Sequence, residues 1–552
     1  MTSELAHGIA GTREQNFVRL LPPRNSTFDD ESLIAVANQM DIPDVPKDGP
    51  DPEENLYVPA GYTYLGQFVD HDLTFDTTST LNPDDSALPT NLRTPTLDLD
   101  NVYGSGPADQ PYMYDDDGAT LRFGKTVDNP TKDDVLRVPA VHDTNGHLIA
   151  EGRAIIGDKR NDENSIVVQI QLAMIKFHNK VVATLKQNGV SGDALFASAR
   201  NEVRWTYQRM LVEDYLRRIV EATVYDAFVS DWEERGDGAY ILYTPELRTN
   251  IPLEFAGAAY RFGHSMVRVG YRLNEQTALP IFLPAGESVS SLTGFQPLPG
   301  AHVIDDWGRF FPVTSRPELE PGKHPPKNVG TSPALATDQK NTFVRLQFAY
   351  KIDLNLTGPL DDLPARISGF DDGPASGIKG QAMPALSLLN LRRGNKFALP
   401  SGQTVAKALG VESQTVTRAG LKVRSAAQGD GMWMFVDMAS FLDQTPLWLF
   451  VLAEAQRKIV DKWADPGGNN GKDVAEIAFF SEGEGALTQL GPVGGRLVLE
   501  TLFGVLDADP RSFRNAAPST WKPLVLANTN DALTFSHILT WTGLTLTDGF
   551  GK

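Results

Sequence analysis

The sequence predicts a mainly α-helical protein with long loops and few short strands, built around one large domain. Strand-like alternation of apolar and polar residues is sparse. No internal repeat or low-complexity tract divides the 552 residues. Apolar residues recur at helical spacing in several stretches, which are residues 60–72, 160–187, 194–229, 254–272, 382–393, 436–462 and 487–506.

Two proline-rich stretches are predicted to be loops of that domain. Residues 42–54 are rich in proline and acidic side chains, and residues 312–333 contain six prolines, which prevents a regular element. Helical patterns resume close to each stretch, so neither is typical of a flexible linker between independent domains. We therefore expect residues 1–54 to be an N-terminal extension packed on a single domain of residues 55–552.

Composition excludes several classes of function. The chain has 70 acidic and 50 basic side chains, and its net charge of −20 disfavours binding to nucleic acid. Without cysteine it has no disulfides, thiolate metal sites or thiol nucleophiles. The longest apolar run, residues 447–453, is too short to span a bilayer, and the first residues lack the apolar core of a signal peptide. The sequence leaves the location open between the cytoplasm and export by a route without a signal peptide.

The first motif of chemical interest is GQFVDHD, residues 66–72. In a helix, Gln67, Asp70 and His71 stand at positions i, i+3 and i+4 and share one face. Asp72 points about 200° away from Asp70, so these two carboxylates cannot serve one site. One face therefore presents an imidazole beside an amide and a carboxylate, and the other face presents a single carboxylate. For this segment taken alone, the alternative interpretation is the start of a surface helix with a solvated cluster of acidic side chains.

The second motif, in residues 157–182, places charges at the head of an apolar helix stripe. The stripe consists of Val167, Ile170, Met174, Phe177 and Val181. Extended toward the N-terminus, the stripe reaches Glu163 and Arg160. Charged side chains on a buried face cost free energy unless they are paired or serve a function. His178 lies on about the same face but roughly 27 Å along the axis from Arg160. We therefore interpret His178 as a structural core histidine.

Two later motifs pair basic and polar side chains at helical spacing. Arg261 and His264 stand at i and i+3, and Gly263 leaves space beside the histidine for a bulky neighbour. Asn390 and Arg393 show the same spacing at the end of an apolar helix. A buried asparagine needs hydrogen-bond partners, and an imidazole N–H would be one.

These four motifs, DHD, RxxE, RxGH and LN followed by RR, resemble the animal-type haem peroxidase superfamily, which contains myeloperoxidase, lactoperoxidase and bacterial relatives. The resemblance extends from about residue 55 to 510, with the motifs in the family's order and spacing. It implies the family's large, mainly helical fold and a haem peroxidase catalytic domain over residues 55–552. Because the mammalian members are secreted and disulfide-bonded, a chain without cysteine is expected to be a bacterial-type member.

The resemblance implies haem b as cofactor and hydrogen peroxide as oxidant, with three residues on the peroxide side. His71 matches the distal histidine, the base that moves a proton between the two peroxide oxygens. Arg160 matches the distal arginine, which stabilises charge on the leaving oxygen. Gln67 matches the glutamine that lines the distal pocket near the halide site.

The family's other haem contacts fall on six further positions. His264 matches the proximal iron ligand, and Asn390 matches the residue that holds its other ring nitrogen. Asp70 and Glu163 match the two carboxylates that form ester links to haem methyl groups when peroxide is present. The two remaining matches, both beside the haem propionates, are Arg261 and Arg393.

The same resemblance implies a calcium site. Residues 94–104, TPTLDLDNVYG, match the family's calcium loop, and Asp72 matches the ligand on the reverse face of the distal helix. Oxygen ligands at alternate positions suit calcium, and the family often has a serine in place of Asp100. An acidic turn without a cation is the alternative. The ligands implied for the loop are Thr94, the Thr96 carbonyl, Asp98 and Asp100.

The reaction implied is the oxidation of halides, thiocyanate and small aromatic donors such as phenols by hydrogen peroxide, through compound I. In myeloperoxidase a methionine follows the ester glutamate and forms a sulfonium link to haem, whereas here the residue is Asn164. Without that electron-withdrawing link, the reduction potential of the haem should be lower. We therefore predict turnover of iodide, thiocyanate and bromide, with little oxidation of chloride.

Two alternative functions are weighed against this peroxidase. A haem-dependent fatty-acid dioxygenase of the same superfamily has a radical-forming tyrosine three residues before the proximal histidine. Here that position is Arg261, and in a helix Tyr260 would lie a further 100° round, which ranks the dioxygenase below the peroxidase. A non-catalytic haem-binding protein would not need both His71 and Arg160. The sequence identifies neither the physiological donor nor the oligomeric state.

Overall fold

The computed structural model describes residues 15–40, 53–75, 89–145, 148–150, 152–283, 290–312, 346–360, 363, 385–426, 433–464, 488–527 and 531–547. The two predicted loops lie outside the described residues, apart from residues 53–54 and 312. The proposed boundary after residue 54 stays a prediction.

Helices dominate the described residues, so the mainly α fold class is confirmed. The helices of the first half are α1 (Asp30–Ala37), α2 (Gly61–Leu73), α3 (Asp100–Tyr103), α4 (Val167–Gln187), α5 (Asp193–Met210), α6 (Leu216–Ile219), α7 (Ala222–Arg235) and α8 (Leu253–Ala256). Those of the second half are α9 (Leu386–Lys396), α10 (Gly402–Leu409), α11 (Leu447–Ala455), α12 (Arg457–Ala464), α13 (Pro492–Ala508), α14 (Phe513–Ala516) and α15 (Phe535–Thr542). None of the described helices is long and apolar enough to cross a membrane.

The strands are short and, within the described part of the chain, pair only in two-stranded antiparallel sheets. The pairs before residue 160 are β1 (Gln15–Asn16) with β3 (Thr90–Asn91), β4 (Phe123–Lys125) with β5 (Asp133–Val135), β6 (Arg137–Val138) with β9 (Arg153–Ala154), and β7 (Val141–His142) with β8 (Leu148–Ala150). The other pairs are β2 (Glu54–Pro59) with β12 (Phe348–Tyr350), β10 (Gly270–Arg272) with β11 (Ala278–Pro280), and β13 (Lys422–Ala426) with β14 (Trp433–Asp437).

The predicted helix over residues 160–187 is wrong at its start, because α4 begins only at Val167. The side chain of Asn164 accepts hydrogen bonds from the backbone N–H groups of Ile166 and Val167, at 3.0 and 2.9 Å. These bonds satisfy backbone amides that have no partner inside the helix. The helix therefore begins after Asn164 and not at residue 160. The preceding residues, Lys159–Asp162, form a separate 3₁₀ turn.

Residues 254–272 differ most from the predicted helix. They form the short helix α8, a 3₁₀ helix over Ala259–His264 and the strand β10. Gly257 ends α8, where it approaches the carbonyl of Leu253 so closely that an added Cβ would lie 2.8 Å from the oxygen. The apolar periodicity of this segment therefore reports burial in three short elements rather than one face of a long helix.

Two other predicted helices are divided by tertiary contacts. Residues 194–229 contain a π-helical turn, Leu211–Tyr215, and then a break at Glu221, whose backbone N–H donates to the carbonyl of Leu490 at 3.0 Å. Residues 436–462 begin as strand β14 and become helical only after Pro446. The first break depends on a partner that is distant in sequence, so periodicity could not reveal it, whereas β14 pairs with the neighbouring strand β13.

The core brings the motif-bearing elements together. Every residue of α11 is buried, and so is most of α13. These two helices pack against each other and against the 3₁₀ helix Ala259–His264, which also contacts α2. α2 in turn packs on α4, and α9 packs on α11. The elements that carry the four motifs therefore surround one region of the molecule.

Candidate active site

A cavity of about 430 Å³ lies between these elements, in the size range of small-molecule and cofactor sites. Its walls mix apolar side chains such as Phe262, Ile281 and Leu389 with polar ones. All the residues to which the resemblance assigns peroxide or haem contacts line it, and these are Gln67, Asp70, His71, Arg160, Glu163, Arg261, His264, Asn390 and Arg393. Residues more than 300 positions apart in the chain thus meet at one site.

Helix α2 separates its polar side chains as its periodicity predicted. Gln67, Asp70 and His71 face the cavity, whereas Asp72 does not line it. The ring nitrogen Nδ1 of His71 lies 2.7 Å from Oδ1 of Asn161, which leaves Nε2 as the nitrogen available to the cavity. Burial, reinforced by the charge of Arg160, lowers the pKa of His71 to about 4. The imidazole is therefore neutral near pH 7, the form in which it can accept a proton.

The guanidinium of Arg160 is held in place by a buried carboxylate. Asp158 accepts hydrogen bonds from its Nε at 3.1 Å and from its Nη2 at 2.7 Å. Nη2 also donates to the carbonyl oxygens of His71 and Thr74, at the end of α2. Burial would raise the pKa of Asp158, but Arg160 outweighs that effect and holds the pKa below its usual range. Arg160 is thus a fixed positive charge on the cavity wall.

Gln67 connects two residues of the segment that precedes α4. Its Nε2 donates to Oε2 of Glu163 at 3.1 Å, and its Oε1 accepts from Nδ2 of Asn164 at 3.2 Å. Burial raises the pKa of Glu163 to about 7, even though Arg160 acts in the opposite direction. The amide of Gln67 therefore has a defined orientation, with its donor end toward the carboxyl group.

The second histidine of the cavity is held through an asparagine. Nδ2 of Asn390 on α9 lies 2.8 Å from Nδ1 of His264, so the N–H end of the amide faces the ring, whereas the resemblance implied an acceptor there. Burial lowers the pKa of His264 to about 3, and the neighbouring charges of Arg261 and Arg393 add to the effect. A Cβ added at Gly263 would meet no atom within 4 Å, so the space beside the histidine belongs to the cavity. His264 is thus a neutral imidazole on the cavity wall, with its Nδ1 in contact with Asn390.

The expectation that Tyr260 points away from the site was wrong. It rested on an α-helix, but this segment is 3₁₀-helical and Tyr260 lines the cavity. Its hydroxyl donates to the hydroxyl of Tyr215 at 3.0 Å, and Tyr215 also lines the cavity. Tyr215 belongs to the π-helical turn, a feature that often occurs at functional sites.

Three carboxylates meet on the reverse side of α2. One oxygen each of Asp72, Asp98 and Asp100 lies within 4.8 Å of the others. Both oxygens of Asp72 are buried, and neither accepts a hydrogen bond of normal geometry from the described residues. Burial, followed by the charges of Asp100 and Asp98, raises the pKa of Asp72 well above its usual value. The cluster thus concentrates negative charge at a buried position, where a positive charge would favour the ionised form of Asp72.

The loop that carries Asp98 and Asp100 has a strained backbone between them. Leu99 has φ 61°, a left-handed conformation that a bulky residue rarely adopts. This single turn allows two carboxylates at alternate positions to face Asp72. The Thr94 hydroxyl lies 3.4 Å from Oδ1 of Asp98, and Thr96 donates to Thr94. The loop residues implied as calcium ligands are thus adjacent.

A chain of alternating charges connects the carboxylate cluster to the cavity. Arg93 pairs with Asp100 at 3.1 Å and also with Asp158. Asp158 in turn pairs with Arg160. Within the described residues, the positive and negative groups therefore alternate from the cluster to the cavity wall.

His178 is a core residue, as its position on α4 predicted. It is fully buried, with Nδ1 3.0 Å from the Tyr103 hydroxyl and Nε2 2.8 Å from the carbonyl of Ala119. It does not line the cavity.

Sequence reasoning missed four residues of this site, namely Asn161, Asp158, Arg93 and Tyr260. A signal existed for Asp158, because an aspartate two residues before a polar turn often caps it, and its side chain does accept from the N–H of Arg160 at 2.8 Å. The contacts of Asn161 and Arg93 cross between elements, so no local pattern could reveal them.

Comparison with known proteins agrees with the site. Residues 85–288 match the family model described as animal haem peroxidase. The chain is 28% identical over 161 residues to peroxidasin of Drosophila melanogaster, which covers 29% of this chain and 9% of that protein. It is 26% identical over 204 residues to human thyroid peroxidase, covering 35% of this chain and 21% of that protein. These matches thus span only about a tenth and a fifth of the two relatives.

The fold resembles that of a solved structure over most of its length. Peroxidase A from Dictyostelium discoideum matches with a TM-score of 0.57 at 15% identity, covering 97% of this chain and 95% of that chain. These comparisons support the resemblance to the animal-type haem peroxidase superfamily, with the family model matching residues 85–288 of the chain.

Proposed function

We propose that this protein is a haem peroxidase that uses hydrogen peroxide to oxidise small-molecule donors. The observation that carries the proposal is the pair of neutral histidines, each bound through Nδ1 to a buried asparagine and each lining the same cavity. A structural histidine normally uses both ring nitrogens in the core, as His178 does. Two histidines that each keep Nε2 for one cavity are better explained by a ligand between them.

The residues present fit haem. His264 would bind the iron through Nε2 once the amide of Asn390 is turned so that its oxygen accepts from Nδ1, and a neutral imidazole is the form that ligates metal. Arg261 and Arg393 line the cavity and would pair with the propionates. Bound haem would supply the electron-transfer chemistry that no side chain here can provide.

The other cavity residues would handle protons and charge. His71 has its Nδ1 occupied by Asn161, so Nε2 can take a proton from one peroxide oxygen and return it to the other as water leaves. Arg160, fixed by Asp158, would stabilise negative charge on the departing oxygen. Gln67 presents an amide donor beside them and would contact a bound anion or water.

Calcium is the cation proposed for the cluster of Asp72, Asp98 and Asp100. Hard carboxylate oxygens on a strained loop suit calcium better than a transition metal. The unpartnered oxygens of Asp72 support a bound cation, because a buried carboxylate without partners is costly. The ion would tie α2 to the loop and thereby hold His71.

The proposed donors are iodide, thiocyanate, bromide and phenols. A second candidate activity, hydrogen abstraction from a fatty acid, is favoured by one observation, because Tyr260 lines the cavity and donates to Tyr215. Oxygen uptake with a long-chain fatty acid, compared between the parent and Tyr260→Phe, separates the two. Uptake that is lost in Tyr260→Phe would favour the dioxygenase.

The test of the peroxidase compares two histidine variants. His264→Ala should lose most of its haem, seen as loss of the Soret band, because it removes the proposed iron ligand. His71→Ala should keep haem but react with peroxide about 10²–10⁴-fold more slowly in stopped flow, the usual worth of a general base. His178→Ala is the matched control: it should lower stability without changing the peroxide rate of the folded fraction. A parental rate in His71→Ala would contradict the proposal.

A further inference from the structure

A relay of buried amides ends on His71. Nδ2 of Asn161 donates to Oε1 of Gln171 at 2.8 Å, while Oδ1 of Asn161 faces Nδ1 of His71 at 2.7 Å. Nε2 of Gln171 donates to the backbone carbonyl of Asn101 at 3.4 Å. Asn161, Gln171 and Asn101 are fully buried, so water cannot replace any of these partners.

Only one orientation of the two side-chain amides satisfies every hydrogen bond of the relay, because a backbone carbonyl can only accept. The carbonyl of Asn101 requires the N–H end of Gln171, which turns the oxygen of Gln171 toward Asn161. That oxygen requires the N–H end of Asn161, which turns Oδ1 toward His71. Reversing any amide would place two oxygens or two N–H groups against each other in a dry core, at a cost of about 1–3 kcal/mol for each unsatisfied group.

The direction of the relay determines the tautomer of His71. Oδ1 of Asn161 has no proton to give, so Nδ1 of the ring must carry the hydrogen. In a neutral imidazole Nε2 then has the lone pair, and Nε2 is the nitrogen available to the cavity. The opposite tautomer would present an N–H group there, which cannot accept a proton.

We propose that Asn161, oriented by Gln171, is a positioning residue that holds His71 as the Nδ1–H tautomer with a basic Nε2 toward the cavity. The inference rests on the proposed function only in taking His71 as the base. Asn161 reaches no cavity wall itself, so it acts through His71. Because the relay starts at Asn101 in α3, beside the carboxylate cluster, the same loop supports both features.

The test reads the tautomer directly. The chain has nine histidines, and selective ¹⁵N labelling with long-range ¹H–¹⁵N correlation identifies which nitrogen of each neutral ring carries hydrogen. His71→Gln assigns the signal by its absence. Spectra are recorded on the haem-free chain and on the diamagnetic ferrous carbon monoxide complex. The parent should show the Nδ1–H form of His71, and Asn161→Asp should keep it, because an acceptor still faces the ring.

Asn161→Ala and Gln171→Met should each give a mixture or the Nε2–H form. The second variant keeps the result decisive if the first fails to fold. Cyanide association with the ferric protein is the kinetic readout, since hydrogen cyanide must lose its proton to a distal base. It should slow about 10²-fold in Asn161→Ala and recover in Asn161→Asp.

Asn274→Ala is the matched control, because Asn274 is a buried asparagine that donates to two carbonyls away from the cavity. It should change neither tautomer nor cyanide rate. A parent with the Nε2–H form, or an unchanged tautomer in both Asn161→Ala and Gln171→Met, would overturn the inference. A parent with the Nδ1–H form that does not react with peroxide would instead count against the proposed function alone.

Discussion

Burial shifts the pKa of single cavity residues in opposite directions, downward for the two histidines and upward for Glu163. The two histidines are neutral because burial lowers their pKa, and burial raises the pKa of Glu163 to about 7. The raised pKa favours the protonated form of the Glu163 carboxyl, while its Oε2 accepts from Gln67. The carboxyl is thus held against the cavity in a form that can either donate or accept.

Asp70 and Glu163 allow a prediction about covalent attachment of haem. Both line the cavity, from α2 and from the segment before α4. After treatment with peroxide, we expect haem to resist acidic acetone and to migrate with the protein on a denaturing gel. Asp70→Val combined with Glu163→Gln should release it, and each single variant should retain one link. Haem that stays attached in the double variant would mean that another residue forms the bond.

Asn164 allows a prediction about halides. Its side chain caps the start of α4 and donates to Gln67, so it has a structural role as well as lacking the sulfur of a methionine. Without a sulfonium link, we expect oxidation of iodide, thiocyanate and bromide but little of chloride at neutral pH. Taurine trapping measures hypochlorous acid, with iodide as the positive control. Strong chlorination would contradict the argument from reduction potential.

At the scale of elements, α2 is the part of the fold that joins both sites. One face carries Gln67, Asp70 and His71 to the cavity, and the other carries Asp72 to the carboxylate cluster. Arg93 adds a second connection, because it pairs with Asp100 and with Asp158. The carboxylate cluster and Arg160 are therefore joined through α2 and through a chain of ion pairs.

Arg93→Met should make the stability of the protein depend more strongly on calcium. In a chelator, the variant should lose about 3–5 kcal/mol, because a largely buried charge is removed from two carboxylates. Saturating calcium should restore much of this loss, since an ion at 100 times its Kd stabilises by about 2.7 kcal/mol. Thermal unfolding with and without calcium measures both effects.

The control for that experiment is Arg122→Ala, which removes an exposed ion pair with Asp115 at 3.8 Å. It should change the free energy of unfolding by less than about 1 kcal/mol in either condition. An Arg93→Met protein whose unfolding responds to calcium no more than the parent would contradict the coupling.

At the scale of the whole molecule, buried ion pairs join segments that are far apart in sequence. Arg424 on β13 donates to both oxygens of Glu53, at 2.6 and 2.5 Å, and to Asp353 at 2.9 Å. All three side chains are buried. The segment that contains Glu53 is thus held to residues about 300 and 370 positions later in the chain.

Arg424→Met should destabilise the protein by about 3–5 kcal/mol, because it leaves two buried carboxylates without their main partner. Urea unfolding measures the loss. Arg418→Ala is the control, since Arg418 forms an exposed pair with Asp443 and should contribute at most about 1 kcal/mol. Equal effects of the two substitutions would show that burial does not govern the contribution of these pairs.

The sequence by itself indicated the fold class, the two faces of α2 and nine of the residues that line the cavity. These follow from local patterns: helical spacing separates Asp72 from His71, and motifs in a known order indicate the family. The core role of His178 followed in the same way, from its distance along one helix.

Only the tertiary structure decided how those residues are oriented. The 3₁₀ geometry of Ala259–His264 brings Tyr260 to the cavity, and the start of α4 at Val167 separates Arg160 from the helix that the pattern predicted. The partner of His71, which is Asn161, was equally invisible in the pattern. The physical reason is that hydrogen bonds between elements depend on packing across the core, whereas periodicity records only which side of each element is buried.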